Sequence, residues 1–267
     1  MMNNIDKRVT GYLNTSVLWR DTLQGLQQYQ PNKTTTIDTS SIASSENIRL
    51  GKLTEQFVLA ELERDPSLEV MVTNLQVFKD RVTIGELDCL LKTPNECIHL
   101  EIVYKFYLYD PSIPDELSRW IGPNRKDSLV FKLAKLKEKQ LPLLYHPETQ
   151  NLLQELGIGA LDFEQQVYFK AQLFVPYHWS KTDLPLINNE CIIGYYLRPD
   201  DLTNFSDFEF YIPNKLDWLI EPHLDVKWMS IDDLKKHLYT LHSNQVSPMC
   251  WVKTTDAQLQ KLFIVWW

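Results

Sequence analysis

Glycine is scarce in this chain, with 8 residues among 267, about half of the roughly 7% share of an average protein. None of them spells the dinucleotide fingerprint G-x-G-x-x-G or a phosphate loop ending in Gly-Lys and Ser or Thr. The two commonest backbone cradles for nucleotide phosphates are therefore excluded. The 4 cysteines, Cys89, Cys97, Cys191 and Cys250, show no C-x-x-C spacing, which leaves neither a zinc knuckle nor a dithiol redox motif. They read as small apolar side chains in a reducing compartment. No run approaches the ~18 apolar residues of a membrane helix, and the opening MMNNIDKRV lacks the apolar core of a secretion signal. A cytoplasmic chain with no membrane contact is the expectation. Positive charge is short as well: 27 Lys and Arg stand against 35 Asp and Glu, a net charge of -8. That balance excludes a protein that coats nucleic acid or anionic lipid over its whole surface.

What is present is an ordinary globular composition, 44% hydrophobic and 23% charged. Residues 31–47 are rich in Pro, Thr, Ser and Asn and have no apolar period, so 1–47 reads as a helical lead-in followed by a linker. From Leu50 to Arg64, Leu50, Leu53, Phe57 and Ala60 recur at helical steps. Glu55 lies near the Val58 and Leu62 edge of that apolar face, either reaching an adjacent sheet or simply solvated. Three β-type runs follow, Val70–Phe78, Val82–Lys92 and Cys97–Tyr109, expected to form an antiparallel meander. A segment with Pro111, Pro114, Gly122 and Pro123 then leads into a helix over Asp127–Gln140, with Leu129, Leu133 and Leu136 as its buried stripe. These elements make up a unit at 48–144. The remainder, 145–267, alternates a short helix near Leu152–Leu156 with β-like runs at Tyr168–Pro176, Cys191–Leu197 and Phe208–Ile212. It is expected as a β-rich part packed on the same core, with its tryptophans serving packing rather than ligand stacking.

The chemistry-bearing pattern lies in the meander. Alternate residues of a strand face opposite ways, so Ile98, Leu100, Ile102, Tyr104, Phe106 and Leu108 form one apolar face. His99, Glu101, Val103, Lys105 and Tyr107 form the other, read as a mixed polar outer face. In the partner run Leu87, Cys89 and Leu91 are expected inward, and Glu86, Asp88 and Leu90 outward. Closing the hairpin over Thr93–Glu96 pairs Lys92 with Cys97 and brings Asp88 directly opposite Glu101. Opposed Cβ atoms sit about 4.5–5.5 Å apart, so the two carboxylates repel and call for a positive charge. A Mg²⁺ ion, commonly held by one or two carboxylates plus water and phosphate oxygens, satisfies that need. The same count places Glu86 opposite Val103. Lys105 shares the face of Glu101 about 13 Å along the strand, within reach of a bound phosphate rather than of the ion. A solvated face of mixed charge is the alternative reading.

The segments GELDCLL (Gly85–Leu91), HLEIVYKFYL (His99–Leu108) and GPNRKDSLVFKLAKLKEKQL (Gly122–Leu141) resemble an uncharacterised bacterial family of the PD-(D/E)XK nuclease-like superfamily. The resemblance implies an α/β fold, a restriction-endonuclease-like core with a mixed sheet flanked by helices, here extended by the β-rich C-terminal part. It implies Asp88 and Glu101 as metal ligands, Glu55 as the upstream acid, and Glu86 as a substitute for one of them. The superfamily's lysine two residues after the second acid is missing. Val103 stands there, and Lys105 follows as the candidate catalytic lysine. The implied cofactor is Mg²⁺ or Mn²⁺, and the implied substrate is nucleic acid, DNA ahead of RNA.

Positive charge for such a substrate is concentrated in one stretch. From Arg119 to Lys139 seven bases stand against Asp127 and Glu138, a local +5 that leaves -13 for the rest. Arg125, Lys126, Lys132, Lys135 and Lys139 are the candidate nucleic-acid contacts, with Lys132, Lys135 and Lys139 forming one row beside the Leu stripe. The other reading is an ordinary solvated face. Gln140 falls on the buried side, in a position to support the site. The expected function is a metal-dependent nuclease or phosphodiesterase; a non-catalytic nucleic-acid- or partner-binding protein on the same fold is the alternative.

Overall fold

The computed structural model describes residues 3–32, 36–40, 42, 48–180 and 184–267; parts of the expected 31–47 linker lie outside them. In chain order the elements are α1 (Asn4–Leu13), β1 (Thr22–Leu23), β2 (Leu26–Gln28), α2 (Leu50–Leu62), β3 (Glu69–Lys79), β4 (Val82–Lys92), β5 (Cys97–Tyr109), β6 (Trp120–Ile121), α3 (Leu129–Lys135), α4 (Pro147–Glu155), β7 (Phe163–Pro176), β8 (Ile192–Leu197), β9 (Glu209–Tyr211), α5 (Ile231–Ser243), β10 (Met249–Lys253) and β11 (Leu259–Ile264). The fold is mixed α/β. Among the described residues one mixed sheet runs in the order β3-β4-β5-β7-β8-β11-β10-β9, with β2 also on β7 and β6 on β5. Strands from both sides of residue 144 thus share one sheet.

The meander forms, and the hairpin register from Lys92↔Cys97 to Cys89↔Leu100 is that of a turn closed over Thr93–Glu96. The other edge of β5 pairs in parallel with β7 along nearly its whole length, from Cys97↔Phe163 to Leu108↔Phe174. Both faces of β5 are covered by packed side chains. Ile98, Leu100, Phe106 and Leu108 pack with Phe57, Val58 and Leu62 of α2 and Tyr12 of α1. Val103 and Tyr107 pack with Leu129, Leu133 and Leu136. The expectation of a solvated polar face on β5 is therefore corrected: α3 lies over it, and the side chains of His99 and Glu101 are 0% exposed. Tyr107, Tyr109 and Trp120 are buried packing residues.

The second correction concerns β4. Leu87 does not share a face with Cys89 and Leu91. Cys89 and Leu91 belong to the core under α2, whereas Leu87 packs with Val77, Leu143, Leu144 and Leu153 on the opposite side. The cause sits across the hairpin. Asn74 adopts a left-handed backbone, φ 52°, between the pairs Thr73↔Cys89 and Leu75↔Leu87. That conformation is tolerated by Asn better than by most residues, and it turns the ribbon over. The position opposite Asn74 is Asp88. There β4 leaves β5, so Glu86 stands beside Gln76 of β3 rather than opposite Val103.

The expected helix over Asp127–Gln140 is also two structures. Ser128 caps α3 by accepting from the Phe131 N–H at 3.3 Å, and α3 gives way to a π turn over Leu136–Gln140. Uninterrupted α-helix would leave residues 132 and 140 about 80° apart around the axis. The wider turn brings Gln140 back to the face of Lys132. Helix α2 is pinned to the sheet by a buried polar contact: the hydroxyls of Tyr12 and Tyr168 both donate to Glu61 Oε2, the latter at 3.0 Å.

Candidate active site

Where β4 parts from β5, the ladder does not simply end. Asp88 Oδ2 accepts the N–H of Ile102 at 2.9 Å, taking the place of the carbonyl that a continued ladder would supply. Between Leu100 and the β6 pairing at Leu108 no strand covers this edge of β5 among the described residues. A cleft of about 530 Å³ opens along it. Its walls are α2, with Thr54 and Glu55, the 123–127 segment, Lys132 with Gln140, and the turn bearing Lys215 and Trp218.

Glu101 lies beneath the cleft rather than in its lining, and its carboxyl is gripped on both oxygens. Gln140 Nε2 donates to Oε2. His99 Nε2 lies 3.2 Å from Oε1. The tautomer of His99 follows from its other side: Gln165 Nε2 donates to the Leu141 carbonyl at 2.6 Å and reaches His99 Nδ1 at 3.2 Å. Nδ1 is thus the acceptor, and Nε2–H donates to Glu101. Burial pushes His99 down to about 4, so the imidazole is neutral near pH 7.

Burial and then the facing Glu101 push the Asp88 carboxyl up to about 7. Burial likewise pushes Glu101 up to about 7, against the pull of Lys132. Two acids facing each other under cover hold a proton that isolated carboxylates would release. The positive charge that the opposed pair demanded comes from an unexpected quarter. Lys132 Nζ donates to Gln140 Oε1 at 2.7 Å, and Glu101 and Asp88 are the charges that favour its protonated form, although burial takes it down to about 8.

The remaining candidates are placed as follows. Lys105 donates to Asp127 Oδ2 at 2.6 Å at the cleft wall. Glu55 lines the cleft, and its carboxylate bonds Lys52 Nζ at 2.6 Å. Lys52 also reaches Asn74 Oδ1 at 2.5 Å and Glu86 Oε1 at 3.6 Å, so Glu55 and Glu86 share this one ammonium. The single row of Lys132, Lys135 and Lys139 is corrected: Lys132 turns inward to Gln140, while Lys135 and Lys139 are exposed. Arg125 bonds Asp110 at 2.9 Å and stacks over Trp267 at 4.4 Å. Lys126 is exposed at the cleft. All 4 cysteines are free thiols, three of them buried.

The family profile of a domain of unknown function matches residues 9–265. The chain belongs to that family, DUF1853. Every residue of this DUF1853 member named at the cleft falls inside the matched region. No curated protein and no solved structure matches it. No described helix is long and apolar enough to cross a membrane.

Sequence reasoning passed over Lys52, Gln165 and Lys215, and read Trp218 as a packing residue. Lys52 had a signal, its i,i+3 spacing to Glu55. The others reach the site only through tertiary packing.

Proposed function

We propose that this protein is a divalent-metal-dependent phosphodiesterase acting on nucleic acid, built on a PD-(D/E)XK, restriction-endonuclease-like core. The observation that carries the reading is that Asp88 and Lys132 line one open cleft, with the buried Glu101 beneath it. The chain's departure at Val103 removes the superfamily's lysine from β5, and Lys132 of α3 stands one side chain away from the acid pair, bonded to the Gln140 that holds Glu101.

The donor set supports one ion of the magnesium class. Among the described residues no three His, Cys, Asp or Glu side chains form a metal-binding group, but Mg²⁺ takes one or two carboxylates and completes its shell with water and phosphate oxygens. Asp88 and Glu101 would hold it, and the ion would supply an acidified water and charge stabilisation at phosphorus. In this reading Glu55 and Glu86, which share the single ammonium of Lys52, are not required as ligands of the ion. The chain's own residues do the positioning. The Ile102 N–H anchors Asp88, Gln140 and His99 orient Glu101, and Lys132 is set to orient a water or a phosphate oxygen beside the pair.

The test is cleavage of DNA and RNA, single- and double-stranded, with Mg²⁺, Mn²⁺ or EDTA. Asp88→Ala and Glu101→Ala should abolish metal-dependent cleavage, Lys132→Met should lower it by about 10²-fold or more, and Lys105→Met should retain it within about tenfold. Full activity in Asp88→Ala would sink the assignment. The second reading, nucleic-acid or partner binding without catalysis, is favoured by the complete burial of Glu101 under Gln140. Binding with no cleavage in either metal would select it.

A further inference from the structure

Two ammoniums and one aromatic ring on the cleft are not used by the acid pair. Lys105 is engaged by Asp127 and Lys132 by Gln140. Lys126 and Lys215 are exposed and have no ion pair among the described residues. Trp218 is half-buried at the same cleft, held edge-on between Phe106 at 5.3 Å and Phe263 at 5.1 Å. Lys215 Nζ lies 5.6 Å from its ring centroid. This aromatic, with the Lys215 ammonium over its ring, belongs to the segment after residue 144 and lines the same cleft as Asp88 and Glu55 from the segment before.

We propose that the cleft takes the unpaired end of a nucleic-acid strand, with one base against Trp218 and the adjoining phosphates on Lys215 and Lys126. The ligand's being nucleic acid rests on the function proposed above; its being single-stranded rests on the cleft. A space of about 530 Å³ is of the size of a small-ligand pocket, room for an unstacked nucleotide. A base can lie against Trp218 only where it is unstacked and unpaired. In a duplex that base is stacked and paired, so it cannot meet Trp218. In a single strand or a frayed end it can, and stacking on an aromatic ring replaces the neighbour it has lost. Ammonium contacts to phosphate add affinity without reading sequence.

The experiment is fluorescence anisotropy with a labelled oligonucleotide, as single strand and as blunt duplex, in EDTA across a salt series. The single strand is expected to bind at least about tenfold more tightly than the duplex. Trp218→Ala should weaken it about 5- to 100-fold. Lys126→Met and Lys215→Met, at exposed positions that do not hold the fold, should each reduce the slope of log affinity against log salt by about 0.7. Equal or tighter duplex binding, unchanged slopes in both lysine variants, or no binding of either form would overturn the inference. Intact single-strand binding without cleavage under Mg²⁺ would instead overturn the catalytic reading and leave this one standing.

Discussion

Asp88 is the residue on which strand geometry and chemistry meet. Its carboxyl serves as a ladder acceptor through Oδ2 and faces a second buried acid. Because its value is raised to about 7 from about 3.9 in an unfolded chain, the native state binds more protons between these values. Stability contributed by the protonated carboxyl is therefore lost as pH rises through that window, with the loss complete above about pH 7. Asp88→Asn can keep a carbonyl oxygen on the Ile102 N–H and turn its amide toward Glu101. In metal-free protein this variant should exceed the parent in stability at pH 8. The excess should shrink by about 2 kcal/mol on going to pH 5, as read by urea denaturation at both values. An excess that does not change with pH would show that Asp88 ionises normally in the fold. Lys132 shows why the residue scale resisted reading from the chain. Its helical spacing to Lys135 and Lys139 was visible, but its inward turn depends on a π turn that no local propensity marks.

At the scale of elements, the cleft depends on how closely α1 meets the 215–219 turn. A Cβ on Gly11 would overlap the Leu219 carbonyl oxygen, so glycine is what permits the approach. The same contact carries the Arg8–Asp217 ion pair at 2.7 Å. Gly11→Ala should destabilise the protein by about 1–3 kcal/mol through forced separation of two packed backbones, measured by chemical denaturation. An unchanged midpoint would mean that the helix can shift freely. The contact between α2 and the sheet offers a complementary test. Removing Glu61 by substitution with Ala leaves the hydroxyls of Tyr12 and Tyr168 buried without their acceptor, at a cost of about 1–3 kcal/mol. The hairpin β4–β5 was legible because a short turn and alternation together set register locally. The face of Leu87 was not, since one left-handed residue, Asn74, on the neighbouring strand reverses the ribbon.

For the whole molecule, the parallel pairing of β5 with β7 joins the acid-bearing meander to the rest of the chain. A fragment ending at residue 144 would leave one edge of β5 and much of the core around Val103 and Tyr107 open to water. Such a fragment should show no cooperative thermal transition by circular dichroism, whereas the full chain should melt as one unit. A sharp transition in the fragment would argue for an independent 48–144 unit. The charge of the whole behaves in the same divided way. The net -8 belongs to an acidic body, and several bases of the +5 stretch are already engaged: Lys132 inward, Arg119 on Tyr109 and nearby carbonyls, and Arg125 on Asp110.

What the chain alone determined is what short-range physics controls. Alternation and turn chemistry set the meander, the register that brings Asp88 toward Glu101, and the amphipathic helix carrying Glu55. The tertiary structure decided which charges meet. Burial of β5 on both faces, the overturned ribbon at Asn74 and the π turn at Leu136–Gln140 bring Lys132 to the acid pair, send Lys105 to Asp127 and carry Trp218 to the cleft. These contacts join residues far apart in sequence, and their partners are chosen by packing, of which no local pattern carries a record.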